Sequence, residues 1–309
     1  MSPESLATLS DQLVLAAILL YLAGMIGYAL ELAFGRVAET VAERRLVAVG
    51  ASHEEPEPAP EPPAAPAPWA LQAGAIGTVA MWLGWAANLG ATLTRGLATD
   101  RWPWGNMYEF VVAMLLAAVT VFLLLQLRYP VRFLGAFVGV VGAIGLGFAA
   151  RVLYTQAGPV VPALDSYWVA IHVTAAVAAS GLFIVGGVAA ALFLIRGDGP
   201  SRLPARADLE RVAHRVIVIA FPIWTFAVIS GALWADKAWG RYWGWDPKEV
   251  WAFITWVAYA AYLHARATAG WKGKAAMIVS LIAFACLMFN LVGVNIFIGG
   301  LHSYADVSK

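Results

Sequence analysis

The sequence contains little charge and almost no cysteine. Asp, Glu, Lys and Arg make up only 13% of its 309 residues, against about a quarter in an average soluble domain. No run of Lys and Arg indicates nucleic-acid binding, and the net charge is only +1. The one cysteine, Cys286, lies inside an apolar run, so an intrachain disulfide and a cysteine metal cluster are both excluded. The N-terminus lacks a charged segment and a small-residue cleavage site, so we expect its apolar run to be retained.

Long apolar runs dominate the remainder of the chain. Hydrophobic residues make up 61% of it, and the mean hydropathy is +0.73. Several runs of about 20 residues are long enough to cross a hydrocarbon core of roughly 30 Å. We therefore predict an all-α, polytopic integral membrane protein with about eight transmembrane helices. The predicted spans are residues 12–35, 70–95, 107–127, 132–150, 167–195, 212–235, 248–268 and 275–297.

A proline-rich segment separates the first span from the others. Residues 53–68, "HEEPEPAPEPPAAPAP", contain seven prolines and four glutamates, a composition typical of an extended linker. We predict a first transmembrane helix in 1–35, a cytoplasmic Pro/Glu-rich linker in 36–68 and a domain of seven spans in 69–309.

The Lys and Arg residues predict the orientation, because cytoplasmic loops carry an excess of them. With the N-terminus outside, 13 of the 20 Lys and Arg residues lie inside. Both termini are therefore expected on the outer, periplasmic side. The charges expected outside are Arg95, Arg101, Arg151, Lys237, Arg241, Lys248 and Lys309. They either bind an anionic ligand or simply cap helix ends.

The most unusual segment is 239–251, "WGRYWGWDPKEVW", which contains four tryptophans and a tyrosine. Trp and Tyr favour the membrane interface, so one interpretation is an aromatic belt. A belt is spread around a protein, whereas these rings are concentrated in one loop beside charged groups. The second interpretation is a platform for a large, flat, mostly apolar ligand with an anionic edge.

The polar tetrad within this segment is typical of a helix start. Asp246 is a preferred N-cap, Pro247 suits the first helical position, and Glu249 completes a capping box. The same device recurs at 106–109. Asp246 and Glu249 either have this capping role alone or also face a ligand.

Two histidines are expected on the same side as the aromatic loop. His172 lies in "DSYWVAIHV" and His302 in "GGLHSY". Imidazole is a standard axial ligand of haem iron, so the pair indicates a bis-histidine haem site. The alternative is local hydrogen bonding or packing.

The other three histidines are expected elsewhere. His264 lies near the inner end of the seventh span, where an ionisable residue is a functional candidate by default; with Arg266 it could instead form an interfacial pair. His214 belongs to an inner basic cluster, and His53 lies in the linker. We assign no role to these two.

The run "WGRYWGWDPKEVWAFITWVAYAAYLHAR", residues 239–266, resembles the tryptophan-rich WWD segment of haem-handling proteins in cytochrome c maturation. We place the WWD segment of this chain at residues 234–256. "DSYWVAIHV", "GGLHSY", "NMYEF" and "GALWA" are similar to the CcsA (ResC) branch, rather than to the shorter CcmC-like or longer CcmF-like proteins. The resemblance extends over nearly all of residues 70–304 and is most specific around 231–266 and 299–304.

The resemblance implies specific ligands for haem b. His172 and His302 correspond to the outer axial ligands and reaction-site residues, and His264 to an inner axial ligand completed by a CcsB/ResB-type partner. The remaining cofactor-binding positions are Trp239, Tyr242, Trp243, Trp245, Asp246 and Trp251.

The resemblance also implies a cytochrome c synthase that works in complex with that partner. It would move haem across the bacterial cytoplasmic (inner) membrane and attach it, on the periplasmic side, to the CxxCH segment of apocytochrome c. Other proteins must reduce the substrate thiols. Two alternatives stay open: a haem exporter or carrier without ligation activity, and a b-type electron-transfer cytochrome.

Overall fold

The computed structural model describes residues 1–35, 67–197 and 201–302, and within these ranges it contains helices and turns but no β-strand. Most of the predicted linker, including His53, lies outside the described residues. The long helices occupy every predicted span. They are α1 (Pro3–Phe34), α2 (Pro68–Thr99), α3 (Met107–Arg128), α4 (Gly135–Val152), α5 (Tyr167–Arg196), α6 (Arg206–Trp239), α7 (Pro247–Thr268) and α8 (Gly273–Met288).

Short elements complete the description. Turns of 3₁₀-helix cover Arg132–Leu134, before α4, and Pro162–Leu164, before α5. One π-turn, Phe289–Gly293, interrupts the last span and is followed by α9 (Val294–Phe297). Single π-turns in membrane helices often mark functional sites.

Seven of the helices in the described ranges are long and apolar enough to cross a membrane, which makes this a multi-pass membrane protein. The seventh predicted span, α7, is not among them. Its 22 residues cover about 33 Å, but Trp, Tyr, His264 and Arg266 lower its hydropathy. It nevertheless runs between α6 and α8, so its place in the bundle is that of a span.

The first helix packs tightly against the second. A Cβ atom on Gly27 would lie 2.5 Å from the carbonyl oxygen of Ala73 and 2.7 Å from the Cα of Gly77. Small residues allow such backbone contact, which drives helix association where lipid removes the hydrophobic gain. α1 also packs against α4, so it forms one side of the bundle.

The centre of the bundle is α5, which contacts α3, α6 and α8. Its Phe183 is fully buried and stacks on Tyr259 of α7, with ring centroids 3.8 Å apart. Successive helices alternate in direction. The start of α5, the end of α6, the start of α7 and the loop before α3 therefore meet at one end of the bundle, which we call the site end.

Candidate functional site

A cavity of about 1080 Å³, including its mouth, opens at the site end. α5, α6, α7, the π-turn and the loop before α3 all contribute to its wall. The wall is mainly apolar and aromatic. The side chains that matter most below are Trp104, His172, Tyr242, Trp243, Lys248 and His302.

His172 enters this cavity from the second turn of α5. Its Nδ1 lies 2.8 Å from the backbone carbonyl oxygen of Ala227 in α6. Because a carbonyl oxygen only accepts, Nδ1 carries the hydrogen and the lone pair is on Nε2. The imidazole also stacks on the Trp234 ring at 6.0 Å. A neutral ring with a fixed tautomer is the form that binds a metal.

Gly231 makes room for that imidazole. A Cβ atom at this position would lie 2.7 Å from Cε1 and 2.8 Å from Nδ1 of His172. Real Cβ atoms do not approach so closely, so a side chain here would displace the histidine. "GALWA", singled out from the sequence, therefore begins with a glycine whose smallness shapes the site.

His302 is held by the N-cap of α7. Its Nδ1 donates to Oδ2 of Asp246 over 2.8 Å, while the Leu301 backbone N–H donates to Oδ1 over 2.7 Å. The same carboxylate caps α7 by accepting from the Lys248 backbone N–H at 3.1 Å. Asp246 therefore has more than the capping role: it caps the helix, and it orients a cavity histidine.

This environment keeps the Asp246 carboxyl ionised. Burial alone would raise its pKa, but hydrogen bonds from His302 and the Leu301 N–H outweigh burial and lower the pKa to about 2. A carboxylate accepts and never donates, so the His302 Nδ1 must carry its hydrogen.

The capping box at the start of α7 is confirmed. Oε2 of Glu249 accepts from the backbone N–H groups of Gly244 and Asp246, at 2.8 and 3.1 Å. Trp245 lies inside this turn with φ +59, a left-handed conformation that costs a non-glycine residue roughly 1–2 kcal/mol. The box thus constrains the aromatic loop at its end.

The predicted aromatic positions are divided among several places. Tyr242 and Trp243 line the cavity. Trp239 packs edge-on against the His302 ring at 4.9 Å. Trp245, 68% exposed, leans on Trp243 at 5.7 Å, and Trp251 packs on Phe289 at 4.3 Å; neither lines the cavity.

His264 is not brought to this site. It lies 17 residues after Pro247 on α7, roughly 26 Å away along the helix, and it is exposed. His214, at the same far end, has its Nδ1 3.3 Å from the hydroxyl of Tyr262. Two histidines therefore share the cavity at the site end, whereas His264 lies exposed at the opposite end of the bundle.

Two asparagines of the cavity wall were missed from the sequence. Asn290, in the π-turn, and Asn295, in α9, both line it. Their signal was available, because a polar side chain within an apolar span is a candidate functional group. Trp104 also lines the cavity, from the loop before α3.

Two of the arginines that we predicted on the outer side hold that loop in place. Arg95 and Arg101 both pair with Glu109, at 3.2 and 2.8 Å, and the Glu109 side chain is only 1% exposed. Glu109 also accepts from the Gly105 N–H at 2.7 Å. For these two residues the structure favours a structural role over ligand binding, since they hold the loop that carries Trp104.

Comparison of the sequence with known proteins identifies the family of this chain. The pattern of the family described as "Cytochrome C assembly protein" matches residues 104–302, which include the whole cavity wall. The chain belongs to this family, in its CcsA branch. "Cytochrome c biogenesis protein CcsA" of Chlamydomonas reinhardtii is 35% identical over 223 residues, which are 69% of this chain and 63% of that protein, so less than two thirds of that relative is matched. The Synechocystis protein of the same name is 31% identical over 308 residues, covering 77% of this chain and 90% of that protein.

A solved structure shares the fold of this CcsA-family chain. "Cytochrome c Heme Lyase CcmF" superposes with a TM-score of 0.59 at 17% sequence identity. The superposition covers 94% of this chain and 47% of the CcmF chain, so the chain spans about half of that protein. At this identity the likeness shows the fold alone.

Proposed function

We propose that this member of the cytochrome c assembly family carries haem b across the cytoplasmic membrane and presents it at the site end. There the haem becomes covalently attached to the CxxCH segment of apocytochrome c. One observation carries the proposal: His172 and His302 line the same aromatic cavity, and each has its Nδ1 engaged by an acceptor.

The cavity suits haem in its chemistry. Its wall is mainly apolar and aromatic with a few polar groups, as is usual for a cofactor pocket. Tyr242 and Trp243 offer flat aromatic surface to a macrocycle. With Nδ1 engaged in both histidines, Nε2 is the atom that we assign to haem iron.

The chemistry requires positioning more than acid–base groups. Each substrate thiol adds across one vinyl group of the haem, so that a C–S and a C–H bond form from S–H and C=C. No net oxidation occurs, and other proteins must supply reduced thiols. The protein contributes proximity and orientation. The histidine of CxxCH can replace one protein imidazole, which would loosen the haem for release.

His264 belongs to an earlier step in this proposal. It is exposed on the far end of α7, where a second chain can reach it. We assign it to an inner haem site whose other ligand comes from a CcsB/ResB-type partner. The far end would then face the cytoplasm, and the site end the periplasm of a bacterial inner membrane.

The test compares His172→Ala and His302→Ala with the wild type, coexpressed with the partner and a CxxCH reporter cytochrome. We expect each variant to lose at least about 90% of covalent haem on the reporter, with partial rescue by added imidazole, which replaces the lost ligand. An SxxSH reporter is the control for attachment.

Three results would count against parts of the proposal. Full maturation in either variant would make that histidine merely structural. Haem bound by the wild type without covalent haem on the CxxCH reporter would favour a carrier without ligation activity. A reversible midpoint potential with a quinol donor, again without attachment, would favour an electron-transfer cytochrome.

A further inference from the structure

The Lys248 amino group is buried at the cavity wall without a hydrogen-bond partner among the described residues. Trp104, which also lines the cavity, likewise lacks a partner: its buried Nε1 has no acceptor among the described residues. Two residues from different segments of the cavity wall therefore each carry a buried donor without a partner.

Neither neighbouring carboxylate forms an ion pair with the Lys248 side chain among the described residues. Asp246 is engaged by His302, by the Leu301 N–H and by the backbone N–H of Lys248 itself. Glu249 uses Oε2 in the capping box, and its Oε1, also buried, has no partner among the described residues. Across residues 1–35, 67–197 and 201–302, no carboxylate lies within ion-pair distance of Lys248 Nζ.

A buried amino group without a hydrogen-bond partner is costly. Leaving a buried donor unsatisfied typically costs about 1–3 kcal/mol, and burying a charge without a hydrogen-bonded partner costs more. The capping box does not require lysine here, since only the backbone N–H of residue 248 takes part in the cap. The side chain therefore calls for a separate explanation.

We propose that Lys248 forms an anion-binding subsite of the cavity and binds a carboxylate of the ligand. This inference rests on the proposed function, under which that carboxylate is a haem propionate. Lys248 follows directly on the cap that holds His302, so the subsite and the axial ligand are fixed by the same turn. Trp104, from the loop before α3, is a second residue of the cavity wall with an unpartnered donor. This arrangement selects ligands with an acid group and fixes the rotation of the macrocycle about the iron axis.

The test titrates ferric haem and its dimethyl ester, which lacks the acid groups, into the purified full-length chain. The variants are Lys248→Gln, which removes the charge, and Lys248→Arg, which keeps it. Lys237→Gln is the matched control, because Lys237 is a 64% exposed lysine at the same end of the bundle. Dissociation constants and the absorption spectrum are measured for each protein.

We expect the wild type and Lys237→Gln to bind haem at least about 10-fold more tightly than the ester, a factor that corresponds to about 1.4 kcal/mol. Lys248→Gln should lose this preference through weaker haem binding, with an unchanged ester affinity and an unchanged bis-histidine spectrum. Lys248→Arg should retain most of it.

The outcomes separate this inference from the proposed function. Equal loss for haem and ester in Lys248→Gln would make the lysine structural and overturn the inference. The same holds if the wild type does not distinguish the two ligands. If neither ligand binds the wild type with a histidine-ligated spectrum, the proposed function fails first, and the inference with it.

Discussion

Asp246 and His302 are 56 residues apart in the chain, yet a single hydrogen bond of 2.8 Å joins them. At the scale of residues, this contact links the helix cap to the cavity. A carboxylate behind a histidine fixes the ring and raises its basicity, and its loss typically lowers metal affinity about 10–100-fold. The N-cap is therefore part of the ligand site rather than only a helix signal.

Asp246→Asn tests this link, because asparagine also caps helices well. We expect α7 to remain folded and haem affinity to fall about 10–100-fold. The carboxyl pKa is lowered from 3.8 to about 2. The stability that it contributes is thus fully present above pH 3.8 and is lost as the pH falls towards 2. Thermal unfolding between pH 6 and pH 2 should show this loss in the wild type and not in the variant; identical profiles would contradict the role.

Gly231→Ala tests the space beside His172. The added methyl group would lie 2.7 Å from Cε1 of the imidazole, so we expect a displaced ring, at least about 10-fold weaker haem binding and a changed absorption spectrum. Gly147→Ala is the control, since nothing lies within 4 Å of a Cβ there. Equal spectra for both variants and the wild type would disprove the steric role.

At the scale of elements, the cavity depends on segments that do not touch the ligand. Arg95 of α2, Arg101 of the following loop and Glu109 of α3 form one buried charge cluster. Through Arg101 the cluster also reaches the Gly158 carbonyl oxygen at 3.1 Å, in the connection between α4 and α5. It joins two connections at the site end, α2–α3 and α4–α5, and so holds one wall of the cavity.

Glu109→Gln should weaken this wall strongly. Removing one partner of a buried ion pair leaves the other charge uncompensated, which typically costs about 3–5 kcal/mol. We expect a lower unfolding temperature in detergent and, through Trp104, weaker ligand binding. Asp208→Asn is the control, because its pair with Arg211 is exposed and such pairs contribute about 0–1 kcal/mol. Similar shifts in the two variants would refute the argument.

At the scale of the whole molecule, the bundle separates two histidine environments. His172 and His302 share the cavity at the site end, while His264 is exposed at the far end of α7. α7 connects the two environments. Histidines at both ends of the bundle suit a protein that moves a ligand from one membrane face to the other. The orientation of the bundle decides which end takes up the ligand.

Cysteine labelling measures that orientation. In a Cys286→Ala background, Tyr242→Cys lies in the exposed loop at the site end, and Thr268→Cys lies at the far end. We expect a membrane-impermeant thiol reagent to label Tyr242→Cys in intact spheroplasts and Thr268→Cys only after the membrane is permeabilised. The reverse pattern would place the cavity on the cytoplasmic side.

Much of this organisation was readable from the sequence. The sequence predicted every long helix of the described ranges. Seven of them follow from apolar runs, since a span needs about 20 apolar residues whatever its neighbours. The α7 start was equally local, because a capping box involves residues three apart. The sequence predicted less well which aromatic rings line the cavity. Trp245 and Trp251 belong to the same segment as Trp243, but only tertiary packing decides which rings face a cavity.

The sequence by itself determined the membrane class, the spans, the α7 cap and the histidines of interest, since these follow from composition and short-range spacing. Only the tertiary structure decided that Asp246 orients His302 and that Gly231 makes room for His172. It also decided that the Lys248 amino group is buried at the cavity wall without a hydrogen-bond partner among the described residues. Each of these depends on which helices become neighbours. That choice is made by packing between segments far apart in the chain, and no local pattern encodes it.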